Sequence, residues 1–499
     1  MSLLGIDVGT TGVKAAAFDL SGRPLAYAYR EYSTLHPRPD WAELDSTAVV
    51  RQIKAAIGEV AAAVRADPIS ALSISAMGEA AVPVDRNGRI LGNCILSSDA
   101  RGGEYARQLG ERLGREAAYR INPNILSAAY TMPKLCWLRD NDAELYRRAD
   151  RFLLWDGMTA AALGCEPFVS YSHANRTLLF DVHREDWSGV LLDACGLERE
   201  KLPRCLPAGT VVGEAASDAA AELGLPPGVK VVVGGHDQCC NALGAGIAAA
   251  GRAVDGIGTY ECITPVYDQI PDPSAMLSAG LNVEHHIVPG LYVSFLFNQA
   301  GSLVRWFRDT FAAERKNEPN IYESLGAEMP GEPTRLFVLP CFEPTGSPDF
   351  ISDVSGVILG LRASTSRGEI LKAVMEGATY YFAEGFSRLE RLGIDTSELI
   401  ATGGGARSDA WLQIKADVYG VPLVRSEYTE CGLLGAAIVA GAAAGALPSM
   451  VEGAAKFARR GREFMPGAAR HAIYRERIAF YKELLLHLHG HLARQNRMV

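Results

Sequence analysis

Two apolar runs that each end in a glycine–threonine turn constrain the fold of this chain more than any other feature. Residues 3–8 (LLGIDV) are apolar except for Asp7, GTTG at 9–12 turns the chain, and VKAAAFD at 13–19 continues as a second strand. In the second half, RAVDGIGTYECITPVYD (252–268) again sets a Gly-Thr turn, 258–259, between apolar runs. Successive strands joined by short glycine turns read as antiparallel meanders. Residues flanking the two turns differ, so the repetition is one of pattern. It predicts two related units facing each other, and at 499 residues the chain is long enough for two or three.

Helical and strand patterns fill in around these hairpins. Ser21-Gly22 leads to a third strand at 25–30, and 46–66 has helical spacing with Ser46 or Thr47 as N-cap. Residues 69–77 (ISALSISAM) then read as a buried strand, making the first third α/β. KVVVGGHD (230–237) is an apolar strand ending in two glycines and an acid. Further on, 301–311 and 368–393 read as helices, 336–346 as a strand with a proline-rich loop, 399–405 as a strand into three glycines, and 472–494 as a charged amphipathic helix.

Composition excludes several functions. The net charge is −9 and no block of five Lys/Arg occurs, which disfavours nucleic acid and anionic membrane as partners. The start, MSLLGIDVGTTGVK, has neither the basic residues nor the long apolar run of a signal peptide. The most membrane-like stretch, 433–447, is short and built from Ala and Gly, and is expected to be a packed helix. Ten cysteines occur without a CxxC pair or zinc spacing, and Cys239 and Cys240 are adjacent, so reduced thiols and a cytoplasmic location are expected. His173, His285 and His286 have no ligand-spaced partners.

Four features point to phosphate and adenine nucleotide. In Asp7-Val8-Gly9-Thr10-Thr11-Gly12 the turn can aim N–H and hydroxyl donors at phosphate oxygens, and Asp7 can hold Mg²⁺. Lys14 either reaches a terminal phosphate or lies solvated on its strand, and no GxxxxGK[ST] P-loop is present. Gly258-Thr259 offers the same donors from the second half. Gly403-Gly404-Gly405 leaves backbone bare enough for a flat ring to lie on it, with Ser408 or Asp409 capping the next helix. Asp237, after two glycines, can take a proton from an attacking hydroxyl. Each feature taken singly is equally a hairpin turn, a flexible turn or a helix cap.

The order of motifs resembles the FGGY carbohydrate kinases, on the actin-like, ribonuclease-H-like ATPase fold. The carrying segments are GIDVGTTGVKAAAFD (5–19), DARGGEYARQL (99–109), the proline–lysine–tryptophan helix 132–154, the stretch 213–246 through Asp237, IGTYE, GSLVRWFRD, SGVILGL (355–361) and GGGARSDAWLQIKADVYGVPLV (403–424). The resemblance spans about residues 3–460. It implies an α/β fold of two ribonuclease-H-like domains with a nucleotide and sugar cleft between them. The N-terminal domain would span 1–246, the C-terminal nucleotide domain 247–460 and a helical tail 461–499.

The implied activity is ATP- and Mg²⁺-dependent phosphorylation of a small sugar, such as a pentulose, or a polyol. Asp237 would be the base. Thr10, Thr11 and Lys14 would meet phosphate, and Asp7 with Asp237 would meet the metal. Gly258 and Thr259 would bind phosphates from the second domain, Gly301 would line the nucleotide site, and Gly404 with Gly405 would pack on the adenosine. Glu79, Asp99, Arg101 and Asp237 would bind substrate, and the resemblance is compatible with a homodimer. The sugar segment departs from the family pattern at Met77-Gly78-Glu79, at Ser97-Ser98 in place of a tryptophan, at His236 and at Tyr260. Two rival readings remain: a kinase of a non-sugar polyol or signalling molecule, and a non-kinase actin-like ATPase.

Overall fold

In the computed structural model, which describes residues 1–498, the two hairpins seed two mixed sheets of one topology. In the first, Ser2–Val8 and Gly12–Phe18 form the hairpin and Pro24–Glu31 extends it. On the other side Ile69–Ala76 and Lys230–His236 add in parallel, and Val211–Glu214 closes the edge antiparallel. In the second, Arg252–Ile257 and Tyr260–Tyr267 form the hairpin, extended by Tyr292–Val293 and Leu296–Gln299. Leu399–Thr402 and Leu423–Ser426 add in parallel, and Arg460–Phe464 closes the edge. Both sheets carry their parallel strands on the same side of the hairpin, so the turns at Gly9 and Gly258 occupy equivalent places.

Helices cover the sheets where their apolar stripes require it. Ser46–Ala63 buries Val49, Ile53, Ile57 and Val60, one face of the helix, against the first sheet. Its N-cap is Asp45, whose carboxylate accepts from the Ala48 amide at 2.9 Å. The expected caps, Ser46 and Thr47, lie one and two residues too far on, because the Asp45 carboxylate already accepts from the third amide of the helix. In 336–346 the strand is Phe337–Leu339 and the proline-rich loop follows from Pro340, as expected, since prolines 340 and 344 cannot continue the ladder. The tail helix is longer than its pattern, Ala468–Asn496. Ser408, not Asp409, caps the helix Asp409–Tyr419.

The Ala/Gly-rich segment forms the helix Cys431–Ala443, buried along nearly its whole length. Although it comes from the second half of the chain, it docks on the first sheet, with Leu433 against Gly5. It also crosses the helix Asp237–Gly244, where a Cβ on Gly244 would strike the Cys431 carbonyl and one on Gly435 the Cys240 carbonyl. Only glycine lets two backbones approach that closely. No helix among the described residues is long and apolar enough to cross a membrane.

Candidate active site

Asp7 is the penultimate residue of its strand and points beyond the sheet edge toward the start of the helix Asp237–Gly244. Ser75, its register partner on the parallel strand, donates to Asp7 Oδ1 at 2.7 Å. Burial, then the nearby charge of Asp237, push the Asp7 carboxyl up to about 6. Two carboxylates whose charges act on each other, one half-buried and one a third exposed, are a donor set suited to a hard divalent cation, which would relieve their repulsion. Lys14, opposite Asp7 in the hairpin, places Nζ 2.7 Å from Glu430 Oε2. The hydroxyls of Thr10 and Thr11 stand exposed at the turn.

Asp237 opens its helix, and His236 occupies the N-cap position without a side-chain cap bond. Gln238 Nε2 donates to Asp237 Oδ1 at 3.0 Å, and His236 Nε2 lies 3.4 Å from the same oxygen. His236 Nδ1 hydrogen-bonds Glu284 Oε1 at 2.8 Å, so a carboxylate from the second half orients the imidazole beside Asp237. Glu284 Oε2 is buried with no hydrogen-bond partner.

Glu79 is nearly buried and has a left-handed backbone, φ 55°. A non-glycine residue there stores backbone strain, which marks functional positions. Arg176 donates its Nε to Glu79 Oε1 at 2.7 Å, lies 3.8 Å from Glu284 and faces the rings of Tyr130 and Phe295. Arg176 and Glu284 were not among the residues expected from sequence. Their only trace there is a lone acid or arginine in a stretch of mixed character, HANRTLLF and LNVEHHIV.

Behind Glu79, Asp99 and Arg101 form a buried pair. Arg101 Nη2 also reaches Glu43 at 2.7 Å, and its guanidinium lies 3.7 Å from the centre of the Trp41 ring. Lys134 donates to the carbonyls of Asp99 and Arg101, and burial brings its ammonium down to about 8. Thr131 on the same helix donates to the Glu79 carbonyl at 2.6 Å.

In the second half, Gly258 and Thr259 are exposed at their turn. The amides of Gly301 and Ser302 donate to the Gly258 and Thr259 carbonyls at 3.2 and 3.0 Å, so the helix Gly301–Phe311 begins on the turn itself. Gly403 and Gly405 pack on Ile257, while Gly404 faces open space. Asn241, on the helix of Asp237, donates to Thr402 at 3.2 Å and ties this cluster to the first. The structure thus gathers Asp7, Thr10, Thr11 and Asp237 at the end of one sheet, Gly258, Thr259, Gly301, Gly404 and Gly405 at the end of the other, and links Glu79 and Arg176 through Glu284 to His236.

A model of the N-terminal domain of the FGGY family of carbohydrate kinases matches residues 2–244, and one of its C-terminal domain matches 269–444. A xylulose kinase of Bacillus subtilis is 27% identical over 97% of each chain. An autoinducer-2 kinase of Klebsiella pneumoniae is 29% identical over 96% of this chain and 92% of its own. The crystal structure of a xylulose kinase from Rhodospirillum rubrum superposes with a TM-score of 0.88 at 25% identity, covering 99% of this chain and 100% of that one.

Proposed function

The chain belongs to the FGGY family of carbohydrate kinases, and from that premise we propose that it transfers the terminal phosphoryl group of ATP to a hydroxyl of a small ketose of the pentulose kind. The observation that carries the reading is the facing pair Asp7 and Asp237, set between two glycine–threonine turns. Phosphoryl transfer asks a protein mainly to align groups and neutralise charge. Asp237 accepts the proton of the attacking hydroxyl, with Gln238 and His236 holding its carboxylate in place. Glu79 and Arg176 offer an acceptor and donors to the remaining hydroxyls, and the buried Asp99–Arg101 pair forms the wall that supports them.

Asp7 and Asp237 fit Mg²⁺, which would supply charge neutralisation for the transferred group. Thr10, Thr11 and Lys14 donate to phosphate oxygens from one side, Gly258, Thr259 and Gly301 from the other, and Gly404 with Gly405 offers bare backbone to the adenosine. A homodimer in the cytoplasm is part of the same proposal.

Asp237→Asn is expected to keep ATP binding and to lower turnover by at least ~10²-fold, the low end of a general-base contribution. Turnover within a few fold of wild type would remove Asp237 from this role. The autoinducer-2 kinase relative favours a second acceptor class, a non-sugar polyol or signalling molecule. A panel of ketoses, polyols and sugar acids, scored by ATP consumption, separates the two.

A further inference from the structure

The helix Thr131–Asn141, which braces Glu79 and Asp99 through Thr131 and Lys134, carries Cys136 on its opposite side. Cys195 ends the short helix Gly189–Cys195. Cys136 Sγ lies 3.8 Å from the Cys195 carbonyl oxygen, and both residues line one surface cavity of about 210 Å³ together with Arg112 and Arg139. The guanidinium of Arg112 donates to the Ala194 carbonyl at 2.8 Å, and that of Arg139 to the Cys195 and Gly196 carbonyls. Two cations are therefore anchored around one thiol pair that the proposed phosphoryl transfer does not use.

We propose that Cys136 and Cys195 are a peroxide-reactive thiol pair that closes to a disulfide, with Cys195 as the attacking sulfur. Its setting separates it from the rest. Burial raises the thiols of Cys94, Cys165, Cys205, Cys239, Cys240, Cys262, Cys341 and Cys431 above the ordinary value. Cys195 is lowered instead, by the neighbouring Cys136 thiol and then by Arg112 and Arg139, while Cys136 is raised. A thiolate beside arginines and open to a cavity is the form that reacts with peroxide. Cys195 is 8% exposed against 1% for Cys136, which sets the order of attack. Gly196 caps the helix in the left-handed region, φ 63°, with its carbonyl held by Arg139.

The Cys195 thiolate attacks one oxygen of hydrogen peroxide; the S–O bond forms as O–O breaks, leaving a sulfenic acid and a hydroxide that takes up the proton Cys195 released. The Cys136 thiol then attacks that sulfur; S–S forms, S–O breaks, and the hydroxyl leaves with the Cys136 proton as water. Two thiols and one peroxide become one disulfide and two waters.

The test exposes the full-length protein to equimolar hydrogen peroxide, then alkylates it and maps it by mass spectrometry. The expected result is loss of two of the ten thiols and a linked peptide pair containing Cys136 and Cys195, reversed by dithiothreitol. Cys136→Ser should stop at a sulfenic acid on Cys195 that dimedone captures, and Cys195→Ser should lose no thiol over the same exposure. Ten free thiols after treatment, oxidation centred on other cysteines, or equal loss in Cys195→Ser would overturn the proposal. The wild-type map needs no variant to fold, and none of these readouts depends on the kinase reading.

Discussion

The hairpin turning at Gly9–Gly12 and the hairpin turning at Gly258-Thr259 hold the same place in two sheets of one topology, yet they treat charge in opposite ways. In the first, Asp7 faces another carboxylate and keeps an oxygen free of the Ser75 bond. In the second, Asp255 and Glu261 lie one on each strand, sealed from solvent, and Lys415 of the helix after the triple glycine reaches both, 3.2 Å from Asp255. The rings of Trp411, Tyr419 and Phe382 surround that ammonium at 5.5, 5.5 and 5.7 Å. One copy leaves its acid without a cationic partner of its own; the other uses its acids internally, tying the hairpin to the helix after the triple glycine through Lys415. Two sheets of one strand order thus place their acids differently: one beside another carboxylate, the other against a buried lysine.

The strongest way to break this contrast is Lys415→Met. It leaves an uncompensated charge in the core and should cost about 3–5 kcal/mol of stability in a urea titration. A loss under ~1 kcal/mol would show that Asp255 and Glu261 share a proton well enough without the lysine.

Next comes Asp7→Asn, which should lower turnover by about two orders of magnitude, the scale for removing one charge-stabilising group. Wild-type Asp7 holds its proton up to about pH 6, so Mg²⁺ must displace it below that. The Mg²⁺ concentration for half-maximal rate should therefore fall as pH rises from 5 to 7, and in Asp7→Asn that dependence should vanish. A profile unchanged by the substitution would detach Asp7 from the metal.

A smaller effect is expected from Gly301→Ala, whose Cβ would press on the Gly258 carbonyl. Displacing the turn should raise KM for ATP by roughly 1–3 kcal/mol in binding terms and leave the sugar KM unchanged. Equal rises in both constants would mean that the turn serves neither substrate selectively.

Glu261→Gln should do least. Burial and then Asp255 hold the Glu261 carboxyl protonated up to about 8, so the amide resembles the form already present. Because the folded value lies above the ordinary one, the stabilisation is complete below about pH 4.5 and is lost as pH rises through about 8. Wild type should weaken between about pH 5 and 8 and level off above that, while Glu261→Gln stays flatter; parallel curves would mean that Glu261 is ionised throughout.

Local signals carried much of the architecture. The helix at 301–311 has the bounds its periodicity predicts, and both glycine–threonine turns fall between the strands that frame them, because turn chemistry and helical spacing are set within a few residues. Asp7 and Asp237 were recognisable because each ends an apolar run. Arg176 and Glu284 were not, since a charge 108 positions from its partner has no motif to announce it. Lys14 shows the same limit: its strand position was evident, but Glu430, 416 residues away, was not. The edge strands Val211–Glu214 and Arg460–Phe464 escaped because half-exposed, charged segments lack a clean alternation.

At the crossing of the helices Asp237–Gly244 and Cys431–Ala443, bare main chain rests on bare main chain at Gly244 and Gly435. Around that contact Cys239, Cys240, Leu243, Leu433 and Leu434 pack into one apolar cluster. A side chain at either glycine would wedge the two rods apart, and the helix that begins at Asp237 would be carried away from the one that Glu430 precedes.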